Sequence, residues 1–123
     1  MEPIPVTGPV DARVGRWMLD RLVATAVRYG HPFVLVLVRT ADTAATMERL
    51  GAVLRGADVL VEWRPGELLV LLPDTDAQGA ARAAGRFRAA APDTQLCAVA
   101  WAGDLAQDLL ERAASGLGAV EAL

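Results

Sequence analysis

The chain has no lysine and no asparagine, and only one cysteine, one histidine and one serine. Without lysine there can be no phosphate-loop lysine and no Schiff base, and without asparagine no Asn-mediated reading of a base. Cys97 is alone in an apolar run, so no intrachain disulfide can form; this suits a reducing cytoplasm. His31 and Ser115 stand far apart and offer no nucleophile–base context. No apolar run approaches the length of a membrane span. Excess positive charge is missing too: the formal net charge is -3, which argues against a general nucleic-acid or anionic-membrane surface. Every basic residue but His31 is arginine, a bias that fits a GC-rich genome.

The 123 residues are 54% hydrophobic, enough for one domain with a real core and too few for two. Residues 1–10 are expected to be a short extended tail. Met1 to Pro9 carries three prolines, with no basic start and no apolar stretch, so it does not read as a signal peptide. A single domain is expected over 11–120. Helical spacing over Val14 to Tyr29 follows Asp11 as N-cap and stops at Gly30. Pro32 to Val38 is a continuous apolar run suited to a strand buried on both faces. Asp42 to Leu54 reads as a short helix with Met47, Leu50 and Leu54 on one stripe. Asp58 to Trp63 and Leu68 to Leu72 are two apolar runs split by Arg64-Pro65-Gly66-Glu67, a hairpin signal. Asp74 or Asp76 caps an alanine-rich helix to about Ala90. Gln95 to Trp101 is a further strand. Asp104 caps a last helix with Leu105, Leu109, Leu110 and Ala113 facing inward. After the first helix the order is βαββαβ, an α+β, ferredoxin-like core expected to place its helices on one face of an antiparallel-containing sheet.

Leu68 to Asp74, LLVLLPD, resembles the strand that follows the signature turn of GGDEF domains, the diguanylate cyclase family. The element order is similar over nearly the whole chain. Asp11 to Gly15 stands where that family has Asp-x-x-Thr-Gly, with Val14 for Thr. In Gln95 to Ala100 only the closing Val-Ala of the family's Ser-Ile-Gly-Val-Ala remains. The signature is eroded to Arg64-Pro65-Gly66-Glu67-Leu68. The resemblance implies two metal-holding carboxylates, at the end of the first strand and at the third signature position; here they read Arg39 and Gly66. The resemblance also implies guanine readers on a long helix, but only the 18 residues Thr40 to Ala57 separate Arg39 from Asp58. Pro65 removes a backbone donor where the family's glycines approach nucleotide. Glu67 alone reads as a solvated turn carboxylate, and Asp42 as a helix cap rather than a ligand. The expectation is therefore a bacterial signalling domain with no catalytic residues, no metal and no cofactor.

Arg55-Gly56-Ala57-Asp58 keeps the Arg-x-x-Asp spacing of the family's inhibitory site, where cyclic di-GMP binds. Arginine presents a planar fork to phosphate or guanine, and aspartate accepts from guanine N–H groups. The same four residues also read as a helix end and a turn. Both Arg55 and Asp58 are expected at the surface, with Arg86 or Arg82 as a second positive group for the phosphates. Arg82, Arg86 and Arg88 read equally as a solvated helix face. Trp63 reads as core or helix packing, or as a stacking platform; Trp17 and Trp101 read as core or rim packing. Two functions stay open: a catalytically inactive cyclic di-GMP receptor, or a protein-interaction or oligomerisation module that binds no nucleotide.

Overall fold

A computed structural model describes residues 9–121. The elements run α1 (Ala12–Tyr29), β1 (Phe33–Arg39), α2 (Thr43–Gly51), β2 (Val59–Arg64), β3 (Glu67–Pro73), α3 (Ala77–Ala90), β4 (Gln95–Ala100) and α4 (Ala106–Glu121). Local chemistry sets the helix ends. Asp11, Asp42 and Asp76 each accept a backbone N–H three residues on, which satisfies an otherwise orphaned donor. Gly30 stops α1 in the left-handed conformation, φ 71°, and its N–H reaches the Ala26 carbonyl. Asp76 rather than Asp74 is the α3 cap; Asp74 takes a positive φ of 50° in the turn before it. Helix α2 ends three residues short of Leu54, in a tight turn where Val53 N–H bonds the Leu50 carbonyl.

The four strands form one antiparallel sheet in the order β2-β3-β1-β4. The expected hairpin is present, with Leu60 opposite Val70 and Val61 opposite Leu69. Its two-residue turn is Pro65-Gly66, with Gly66 at φ 77°. A register shift lies between Glu62 and Arg64.

The expectation of helices on one face is wrong. Val34, Val36, Val38, Leu68, Val70 and Leu72 pack under α2 and α3. Phe33, Leu35, Leu37, Leu69 and Leu71 pack under α1 and α4. Strands β1 and β3 are apolar at nearly every position, and alternate residues point to opposite faces. Leaving one face bare would forgo roughly 1.5–3 kcal/mol for each large side chain on it. Helix α1 sits close on β2 at Gly15, where a Cβ would fall 2.3 Å from Val61 Cγ1.

Other expectations also need correction. Residues 1–8 of the expected tail lie outside the described residues, but Val10 is not tail: its N–H bonds the Leu60 carbonyl, and Glu62 N–H bonds its own carbonyl. Leu105 is not inward but 69% exposed, because α4 begins one residue later; Leu109 and Ala113 are buried as expected. Asp104 does not cap α4. Its carboxylate accepts from Ala102 N–H and from Arg112, one turn into the helix and beyond. Burial pushes this carboxyl's pKa up, but the Ala102 and Arg112 hydrogen bonds and the Arg112 charge outweigh that and hold it below the usual range. Trp17 is 62% exposed, with Arg21 over its ring, whereas Trp101 stacks near Phe33 and donates to the Asp104 carbonyl. Trp63 is half-buried against the α1/α4 side of the core.

Candidate functional site

The residues singled out in the sequence fall in two places: the Arg64–Glu67 turn and the Arg-x-x-Asp loop. At the turn, the antiparallel register sets Arg39 directly opposite Glu67. Their side chains pair at 3.5 Å. Glu67 is thus a half-buried partner of Arg39 and not a solvated turn carboxylate. The Gly66 carbonyl accepts from Thr40 N–H at 2.9 Å, which ties the turn to the loop after β1. A Cβ at Gly66 would stand 3.4 Å from the Thr40 carbonyl oxygen, and the positive φ adds strain for any other residue. The Thr40 and Thr46 hydroxyls bond each other at 2.7 Å beneath this loop, and Asp42 is spent on its cap. Among the described residues no three His, Cys, Asp or Glu side chains gather where they could hold a metal ion. The arrangement offers one cation–anion pair and no free acid–base pair.

The second place lies between the α2–β2 loop and α3. Asp58 closes the loop on itself. Its Oδ2 accepts from Arg55 N–H at 2.8 Å, and its own N–H bonds the Arg55 carbonyl at 3.0 Å. The expectation that Asp58 lies at the surface is wrong, since its side chain is only 6% exposed. Arg55 is exposed, as expected. Arg86, arriving from α3, sets Nη2 3.8 Å from the same Asp58 oxygen and is 27% exposed. Its Nε is buried without a hydrogen-bond partner, and its guanidinium lies 5.1 Å from the Phe87 ring centroid. Arg55, Asp58, Arg82 and Arg86 together line a recess of about 40 Å³, with Thr75 and Gly79 on its wall.

The structure therefore brings together the residues the sequence singled out: Arg55 and Asp58, with both Arg86 and Arg82, the two alternatives for the second positive group. Arg88 is elsewhere, lining a groove beside β4. The Arg39–Glu67 pair escaped sequence reasoning. The signal for it was the antiparallel β1–β3 register, which opposes these charges only once β1 is known to lie beside β3.

No family model matches the chain, and no curated protein sequence matches it. Solved structures do match. The diguanylate cyclase SiaD from Pseudomonas aeruginosa, solved with its activator SiaC, superposes with a TM-score of 0.85 at 18% identity; 96% of this chain covers 57% of that one. The GGDEF domain of DgcB from Caulobacter crescentus, solved with c-di-GMP, gives 0.81 at 13% identity, covering 98% of this chain and 90% of that one. The FimX GGDEF domain from Pseudomonas aeruginosa gives 0.76 at 15%, covering 96% and 92%. The fold of this chain is that of GGDEF domains.

Proposed function

We propose that this chain is a regulatory domain of GGDEF fold that makes no cyclic di-GMP and instead receives it at the recess between the α2–β2 loop and α3. The observation that carries the reading is the meeting of three arginines, Arg55, Arg82 and Arg86, around a single carboxylate that is already engaged. One acid against three guanidinium groups leaves the recess a net cation, suited to a doubly anionic ligand. Guanidinium forks bind phosphodiester oxygens in bidentate fashion. The recess is too small to enclose a nucleotide, so the phosphates rest at its mouth against Arg55 and Arg82. Asp58 positions Arg55 and Arg86 rather than touching guanine. Loss of synthesis follows from Arg39 and Gly66 at the two positions where the cyclase chemistry needs hard oxygen ligands for a metal.

Two results are expected. Incubated with GTP and Mg²⁺ or Mn²⁺, the protein yields no cyclic di-GMP above a blank when the nucleotides are resolved by chromatography; protein-dependent product would end the inactive reading. In calorimetric titration, cyclic di-GMP binds the wild type. Arg55→Ala and Arg82→Ala each weaken binding roughly tenfold to a hundredfold, as loss of a charged hydrogen bond of about 1.5–3 kcal/mol requires. Absence of heat at high micromolar ligand would remove the receptor role.

A further inference from the structure

The hairpin ladder breaks its register in one place. Val61 opposes Leu69 and Glu62 opposes Leu68, but Glu67 is met by Arg64 rather than by Trp63. Trp63 is therefore an extra residue in β2, a β-bulge. In a regular strand two successive side chains point to opposite faces. The bulge removes that alternation, and Trp63 and Arg64 line the same cleft. The Arg64 guanidinium stands 5.7 Å from the Trp63 ring centroid, so the indole is backed by a cation.

The cleft holds about 250 Å³ between α1 and α4, on the sheet face opposite the Arg-x-x-Asp recess. Its floor is apolar: Leu37 is buried, and Leu110 and Trp63 are half-buried beside it. Its rim carries two arginines and two glutamates. Two of the four are already neutralised, Arg16 by Asp20 at 3.2 Å and Glu67 by Arg39 at 3.5 Å. The other two are not. Among the described residues no ion pair engages Arg64 or Glu111, and Glu111 accepts only a neutral amide N–H, from Gln107 at 3.3 Å. One unpaired cation and one unpaired anion thus stand over an apolar floor.

We propose that this cleft binds a free α-amino acid with a large apolar side chain. Its carboxylate meets the Arg64 fork, its ammonium meets Glu111, and its side chain lies on Trp63, Leu37 and Leu110. The volume is below the roughly 300–1,000 Å³ of sites that take drug-sized ligands, and it suits a smaller molecule. A nucleotide fits poorly. Its phosphates would bring several negative charges beside Glu67 and Glu111, with one unpaired arginine to meet them. An uncharged apolar molecule would use neither Arg64 nor Glu111.

Titration of the wild-type protein followed by NMR tests this, with three probes: L-phenylalanine, L-phenylalanine amide and N-acetyl-L-phenylalanine. Phenylalanine at millimolar concentration should move the indole N–H signal of Trp63, assigned with Trp63→Phe, and leave those of Trp17 and Trp101 in place. The amide lacks the carboxylate and the acetyl compound lacks the ammonium, so each should bind roughly tenfold more weakly or worse. Glu111→Gln and Arg64→Gln, both at exposed positions, should each weaken phenylalanine by a similar factor. Glu111→Gln should leave the acetyl compound unaffected, and Arg64→Gln should leave the amide unaffected. No shift with phenylalanine, equal binding of all three probes, or binding that survives both substitutions would overturn the proposal. So would a Trp63 shift produced by GTP and not by phenylalanine. None of these readouts depends on cyclic di-GMP.

Discussion

Val70→Asp should lower the unfolding free energy by about 4 kcal/mol or more, a large share of the stability of a typical small domain. Val70 is fully buried in an interior strand, between Val36 on β1 and Leu60 on β2, beneath the α2/α3 layer. A carboxylate there has no partner and no water, and it must ionise unpaired or protonate at a cost. Leu71→Asp tests the other layer, since Leu71 is equally buried under α1 and α4. The two substitutions should be comparably severe in urea unfolding. A fold with helices on one face would make one severe and the other mild. Wild-type midpoints for both would mean β3 is peripheral and the architecture wrong.

Asp58→Ala should cost about 2 kcal/mol, although the residue was a candidate ligand, because a buried acceptor vanishes and its donors lose their partner. The Arg55 N–H loses a 2.8 Å bond, and Arg86, whose Nε already lacks one, loses its nearest anion. Asp58→Asn should cost less, since an amide oxygen can still receive the Arg55 N–H. The 3.8 Å separation and the partial exposure of Arg86 keep the ion-pair share small. Thermal unfolding separates the cases. An Asp58→Ala variant as stable as the wild type would show that the carboxylate does not hold the loop. Arg55→Ala, by contrast, leaves the backbone N–H in place and should unfold normally.

Much of the fold was legible because its signals are local. Asp11, Asp42 and Asp76 cap by chemistry reaching three residues ahead, and Gly30 stops α1 through its own φ. The apolar runs around Pro65-Gly66 specify a hairpin without help from elsewhere. What failed depended on neighbours distant in sequence. Leu105 fits an inward helical stripe on paper, but α4 starts after it and the Asp104 carboxylate turns to Arg112 instead of the helix N-terminus. Asp58 looked like a surface residue because nothing in Arg-x-x-Asp announces the arrival of α3 over it. The Arg55, Asp58 and Arg86 grouping was anticipated from a resemblance; its spacing alone also described a turn, and the turn is there.

The strand order also sets the tempo of folding. Leu60 and Val70 meet across ten residues, a loop closed quickly, so the β2–β3 hairpin is available within about microseconds. Strand β1, the spine of the sheet, must wait for partners far along the chain: Leu35 pairs with Leu71 on one side and with Val99 on the other. Such distant pairings carry a larger loop-closure cost and slow the search. The last ladder to close is then β1 against β4. In stopped-flow experiments, Val99→Ala should mainly speed unfolding, while Leu60→Ala in the hairpin should mainly slow folding; the reverse pattern would mean that β1 and β4 pair first. Until that closure the β1 edge, apolar from Phe33 to Val38, stands exposed, and the interval in which this chain can aggregate is the time it takes β4 to arrive.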